Sequence, residues 1–95
     1  MKKFIEINLA LSILKQGGRF VAYSPALDLS TSGTSQREVK RRFTEAAFLL
    51  MEELDKAGTV HDVLTELGWT REQKQWAPPQ IISQGTVDFR MPVAA

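Results

Sequence analysis

The run IEINLALSILKQGGRFVAYS, residues 5–24, decides how this chain begins to fold. Ile5, Ile7, Leu9, Leu11 and Ile13 recur at every second position with Glu6, Asn8, Ala10 and Ser12 between them, the alternation of a strand with one buried face. Gly17 and Gly18 supply two residues free to adopt positive φ, so the chain can reverse and Arg19 to Ser24 can return antiparallel. Pro25 has no amide hydrogen for a ladder, which makes Ser24-Pro25-Ala26 a kink before a short third strand. Strands are therefore predicted at about residues 3–14, 19–24 and 28–32.

Beyond Gly33 the period changes. Ser35 and Glu38 have capping-box spacing, and Val39, Phe43, Ala46, Ala47, Leu50, Leu54 and Ala57 fall on one helical stripe that stops before Gly58. A helix is expected over about 35–57. A shorter one, about 60–67, follows Thr59 and carries Val60, Val63, Leu64 and Leu67 ahead of Gly68. Trp69 to Pro79 reads as an irregular connection, because Pro78-Pro79 leave too little room for the second half of a helix-turn-helix. Val87, Phe89 and Met91 alternate with Asp88 and Arg90, predicting a last strand at about 86–91 before Pro92. The order β-β-β-α-α-β gives an α+β domain with both helices on one face of the sheet.

Composition narrows the functional classes. A chain of 95 residues has room for one domain with a modest core. Twelve basic against eleven acidic residues give a net charge of +1, too small for the whole molecule to attract nucleic acid or a membrane surface. The absence of cysteine excludes thiolate catalysis, thiolate zinc sites and a disulfide framework, and fits a cytoplasmic protein. Met1-Lys2-Lys3 before Phe4-Ile5 imitates a secretory signal, but Glu6 and Asn8 break the apolar run and no cleavage site follows, so the segment is expected to belong to the mature protein.

The stretch FVAYSPALDLSTSGTSQREV, from Phe20, resembles the start of HicB-family antitoxin domains, in which an aromatic-x-Ala-x-x-Pro-x-Leu strand leads through a polar turn to Gly-x-Thr and a long helix. Phe20, Ala22, Tyr23, Pro25, Leu27, Gly33 and Glu38 match that pattern. The later LTELGWTREQKQWAPP looks like the tail of a single-domain branch that lacks the C-terminal DNA-binding domain. The resemblance implies a truncated RNase H-like fold and a role in a toxin-antitoxin system: binding and silencing a HicA-like toxin that cleaves messenger RNA, with no catalytic task or cofactor of its own. Many family members carry Gly-Cys before the Gly-x-Thr turn where this chain has Ser30-Thr31-Ser32, so any role of that cysteine is absent. An orphan oligomeric or regulatory domain without a toxin partner is the alternative.

An RNase H-like fold raises metal-assisted phosphodiester cleavage, which needs several carboxylates converging on divalent ions. Glu6, Asp28, Glu45 and Asp88 are the pool, and only Glu6 and Asp88 are expected to share a sheet face, so no metal site and no enzymatic activity are expected. His61, the one histidine, has no second histidine or cysteine to build a site with. Gly17-Gly18 join strand to strand, unlike a phosphate cradle, which joins strand to helix.

The binding residues are expected on the long helix. Arg37, Lys40, Arg41 and Arg42 crowd its first turns, where the macrodipole already places positive charge. Either Glu38 and Glu45 pair with them on a solvated face, or an acidic partner surface compensates. Phe48 lies opposite the core stripe, beside Arg41, Thr44 and Met51. It is covered by the Val60–Trp76 segment or else buries against another chain. Arg37, Lys40, Arg41, Thr44, Phe48 and Met51 are thus the candidate partner-binding set, for the toxin or for a second copy in a homodimer. No aromatic set interleaves with the basic run, so direct nucleic-acid binding is not expected.

Overall fold

The computed structural model describes residues 4–94. It is a small α+β fold in the order β1 (Ser12–Gln16), β2 (Arg19–Ser24), β3 (Leu29–Gly33), α1 (Gln36–Ala57), α2 (Val60–Glu66), β4 (Thr70–Glu72) and β5 (Gln75–Ala77). β1, β2 and β3 form one antiparallel sheet in that spatial order. Gly17, at φ 60°, makes the first reversal, and the register Gln16↔Arg19 to Ser12↔Tyr23 closes a two-residue hairpin. The β2–β3 turn is built on Pro25, whose carbonyl accepts from the Asp28 amide at 3.3 Å. Asp28 takes a left-handed φ of 49° and accepts a 3.0 Å hydrogen bond from the Tyr23 hydroxyl.

Alternation along the sheet decides what α1 covers. Ile13, Ala22 and Thr31 are cross-strand partners, and Ile13 and Ala22 pack with Val39 and Phe43 of α1 in one buried cluster. Ala26, Leu27, Leu64 and Trp69 form a second cluster, and Leu9, Leu29 and Ala47 touch both. α2 packs on α1. The indole nitrogen of Trp69 donates to the carbonyl of Ala26 at 2.7 Å, which ties the chain after α2 to the β2–β3 turn.

The ends of α1 follow from its flanking residues. The Ser35 hydroxyl accepts from the Glu38 amide at 3.1 Å. The reciprocal half of the capping box is displaced by one residue, because Glu38 accepts from the Thr34 amide and hydroxyl, at 3.3 and 3.0 Å. At the other end Gly58 stands at φ 71° and its amide reaches the Asp55 carbonyl, the left-handed cap that glycine adopts without a Cβ clash.

Three expectations are corrected. The first strand, predicted over 3–14, pairs only over Ser12–Gln16. Pro25 turns β2 away after Ser24, so Phe4 to Leu11 overrun their partner as an arm without ladder bonds; Lys3 lies outside the described residues. Trp69–Pro79 contains the hairpin β4–β5, with Thr70↔Ala77 to Glu72↔Gln75 in register. Its turn residues Gln73 and Lys74 stand at φ 49° and 69°, a conformation usually signalled by Asn or Gly. The last strand, predicted at 86–91, has no partner among the described residues, and 78–94 carry no regular structure. The radius of gyration is accordingly 16.4 Å, with extents of 61 × 28 × 23 Å, against roughly 12–13 Å for a compact domain of this length. No helix among the described residues is long and apolar enough to cross a membrane.

Candidate functional site

One stripe of α1 faces away from the sheet, and its character changes along its length. Arg37, Lys40 and Arg41 lie at its start, Thr44, Phe48 and Met51 in the middle, Glu52 and Asp55 at its end. A groove of about 670 Å³ runs beside the middle and end of that stripe. The arm supplies Phe4, Ile5, Ile7 and Leu9 to its lining, and Trp69 and Trp76 contribute from beyond α2. Glu52 and Asp55 are the charged residues among those that line it.

The structure therefore divides the six candidate residues. Thr44, Phe48 and Met51 line the groove, whereas Arg37, Lys40 and Arg41 continue the same stripe toward the N-terminus of α1. Phe48 remains 48% exposed. Of the two fates open to it, cover by the Val60–Trp76 segment is not what the structure shows. That segment forms the far side of the groove, and the ring nearest Phe48 is Phe4, 6.3 Å between centroids at 31°.

The basic run separates by role. Arg42 turns back to the sheet, donating to the Ser32 carbonyl at 3.0 Å and pairing with Glu38 at 3.3 Å. Arg41 pairs with Glu45 at 3.5 Å in an exposed bridge of i,i+4 spacing, an interaction worth a few tenths of a kcal/mol, on the order of 0.3–0.5. Arg37 and Lys40 make no side-chain hydrogen bond or ion pair among the described residues. The two Thr34 hydrogen bonds and then the nearby Arg42 and Arg41 hold the Glu38 carboxyl below its ordinary range. Charge conflict at this helix end is thus relieved for Arg42 and Arg41, and left standing at Arg37 and Lys40.

The remaining chemistry-bearing side chains are dispersed. Asp28 is engaged with Tyr23, whose hydroxyl pKa is raised chiefly by donating that bond, and Glu45 with Arg41. Glu6 lies on the arm and Asp88 on the C-terminal tail, both exposed. Among the described residues no group of three or more His, Cys, Asp or Glu is placed to hold a metal ion. His61 sits 3.6 Å from Asp62 and meets the ring of Trp76 edge-on at 5.7 Å.

Sequence reasoning missed the groove as a whole. Its wall of Trp69 and Trp76 depends on the hairpin that no turn signal announced, and its arm wall depends on residues that spacing assigned to a sheet. Compared with protein-family models, curated proteins and solved structures, the chain gives no match.

Proposed function

We propose that this chain is a protein-binding module of the antitoxin kind, a truncated RNase H-like domain that docks a HicA-like toxin and shields its RNA-cleaving site. The observation that carries the reading is the outward stripe of α1, where Arg37 and Lys40 stand unneutralised on the same face as the half-exposed Phe48, two to three turns before it. Cations near the positive end of a helix dipole are unfavourable in isolation. An acidic partner surface offsets that cost, and a large apolar side chain farther along the same face gives the anchor that interfaces concentrate their energy on. The three-stranded antiparallel sheet with one long helix packed on it supports the RNase H-like part of the proposal, and the residues from Phe20 to Val39 support the family part.

Co-expression with the toxin-like product of a neighbouring gene tests this. Growth arrest by the toxin is relieved by the native chain and restored by Arg37→Glu combined with Lys40→Glu, with the complex weakened about tenfold or more. Unrelieved arrest while both chains are soluble rejects the proposal. A second reading, an orphan oligomeric domain with no toxin, draws on the Ser30-Thr31-Ser32 turn in place of Gly-Cys. A gene neighbourhood found to hold no small toxin-like reading frame would favour it.

A further inference from the structure

The chain leaves two apolar features incomplete. One is the groove beside α1. The other is the tail, where Val87, Phe89, Met91 and Val93 recur at every second position and are 87, 79, 68 and 77% exposed. We propose that each completes the other between two copies: residues 86–93 of one protomer lie as an extended strand in the groove of its partner, reciprocally, in a two-fold dimer.

Geometry points to a second copy in preference to the chain's own tail. Ile81 to Gln84 share a shallow hollow with Ala10, whereas Leu9 and Ile7 line the groove. Ala10 and Ile81 to Gln84 are absent from the groove's lining, so the tail leaves beside the arm and outside the groove. From Gln84 to Val87 the chain reaches about 10 Å at most, about the thickness of one packed layer. In this structure Val87, Phe89, Met91 and Val93 accordingly stay out of the chain's own groove and remain exposed. A tail arriving from a second copy is not limited by that reach.

In a tail that turns Val87, Phe89, Met91 and Val93 into the groove, Asp88 and Arg90 point to the opposite face, toward solvent. Pro92, which lacks an amide hydrogen, ends any ladder the strand makes with the arm. Four side chains of this size bury about 500 Å² per tail. Tail and groove of both copies together then bury on the order of 2,000 Å², the extent of a stable interface. The tail covers Phe48 with the rest of the groove, so a toxin anchored on Phe48 competes with the second copy's tail, while Arg37 and Lys40 stay uncovered in the dimer.

The test uses the native chain alone, so its outcome is independent of any toxin. Light scattering is expected to give a dimer. Phe89→Asp, at a position too exposed to support the monomer's core, weakens it by about tenfold or more. Because the sequence lacks cysteine, Met51→Cys with Met91→Cys adds a single pair of thiols, and a covalent dimer on oxidation supports the exchange. A monomeric native chain, a dimer indifferent to Phe89→Asp, or a bridge that closes within one chain overturns it.

Discussion

Trp69 is 4% exposed and its one polar atom is spent on the Ala26 carbonyl, 2.7 Å away in the buried cluster that joins the β2–β3 turn to α2. Replacing it by Phe keeps most of the ring volume and deletes the donor, which leaves a buried carbonyl unsatisfied. Chemical denaturation is expected to show a loss of about 1–3 kcal/mol, where a purely apolar role for the ring predicts a loss near the bottom of that range or below it. Ser24 gives the opposite sign. It is fully buried on the core face of β2, and its hydroxyl oxygen has no hydrogen-bond partner among the described residues. Ser24→Ala removes a desolvated polar atom at nearly constant backbone cost and should raise stability by about 1 kcal/mol. A loss of stability in that variant shows that the hydroxyl is satisfied in solution.

At the scale of elements, the start of α1 rests on Glu38, and the pH dependence of that interaction has a definite sign. The folded carboxyl is held below its ordinary range by the Thr34 hydroxyl and amide, then by Arg42 and Arg41. A carboxyl depressed in the folded state stabilises fully above its unfolded value, about 4.3, and the contribution disappears as pH falls through the folded value. Glu38→Gln is therefore expected to be less stable than the native chain at pH 7 and to converge with it in acid, as pH falls through the depressed folded value. Urea unfolding across that range measures the convergence, and a difference that stays constant in acid refutes the assignment. This helix was legible in the sequence because its signals are local: Ser35 and Glu38 three residues apart, an apolar stripe, and Gly58 where a left-handed cap belongs. The β4–β5 hairpin was not, since Gln73 and Lys74 adopt positive φ without being glycine or asparagine. Their cost is met by contacts the local sequence does not display. Arg71 lies over the ring of Trp76 at 5.6 Å, and Trp69, just before β4, is anchored on a turn 43 residues earlier.

For the whole molecule, period and partner are separate pieces of information. The alternation from Ile5 to Ile13 and from Val87 to Met91 states which side chains seek burial, and nothing in it states what buries them. Pro25 ends the partner strand of the first run, and the second run has no partner strand among the described residues, whose longest extent is 61 Å. Few of their side chains are fully buried: Ala22, Ala26, Leu27, Val39, Phe43, Leu64 and Trp69 form the apolar core. A dimer that covers the arms would supply a large share of the total stability, and such stability depends on concentration by mass action. Raising the chain concentration a hundredfold adds about 2.7 kcal/mol per dimer, which corresponds to a rise of roughly 5–10 °C in the thermal midpoint of a unit of that size. Phe89→Asp should lower the midpoint and remove its concentration dependence together, because one residue outside the core controls only the association. Melting curves followed by circular dichroism distinguish this from a self-sufficient monomer, whose midpoint is the same at every concentration and in both chains.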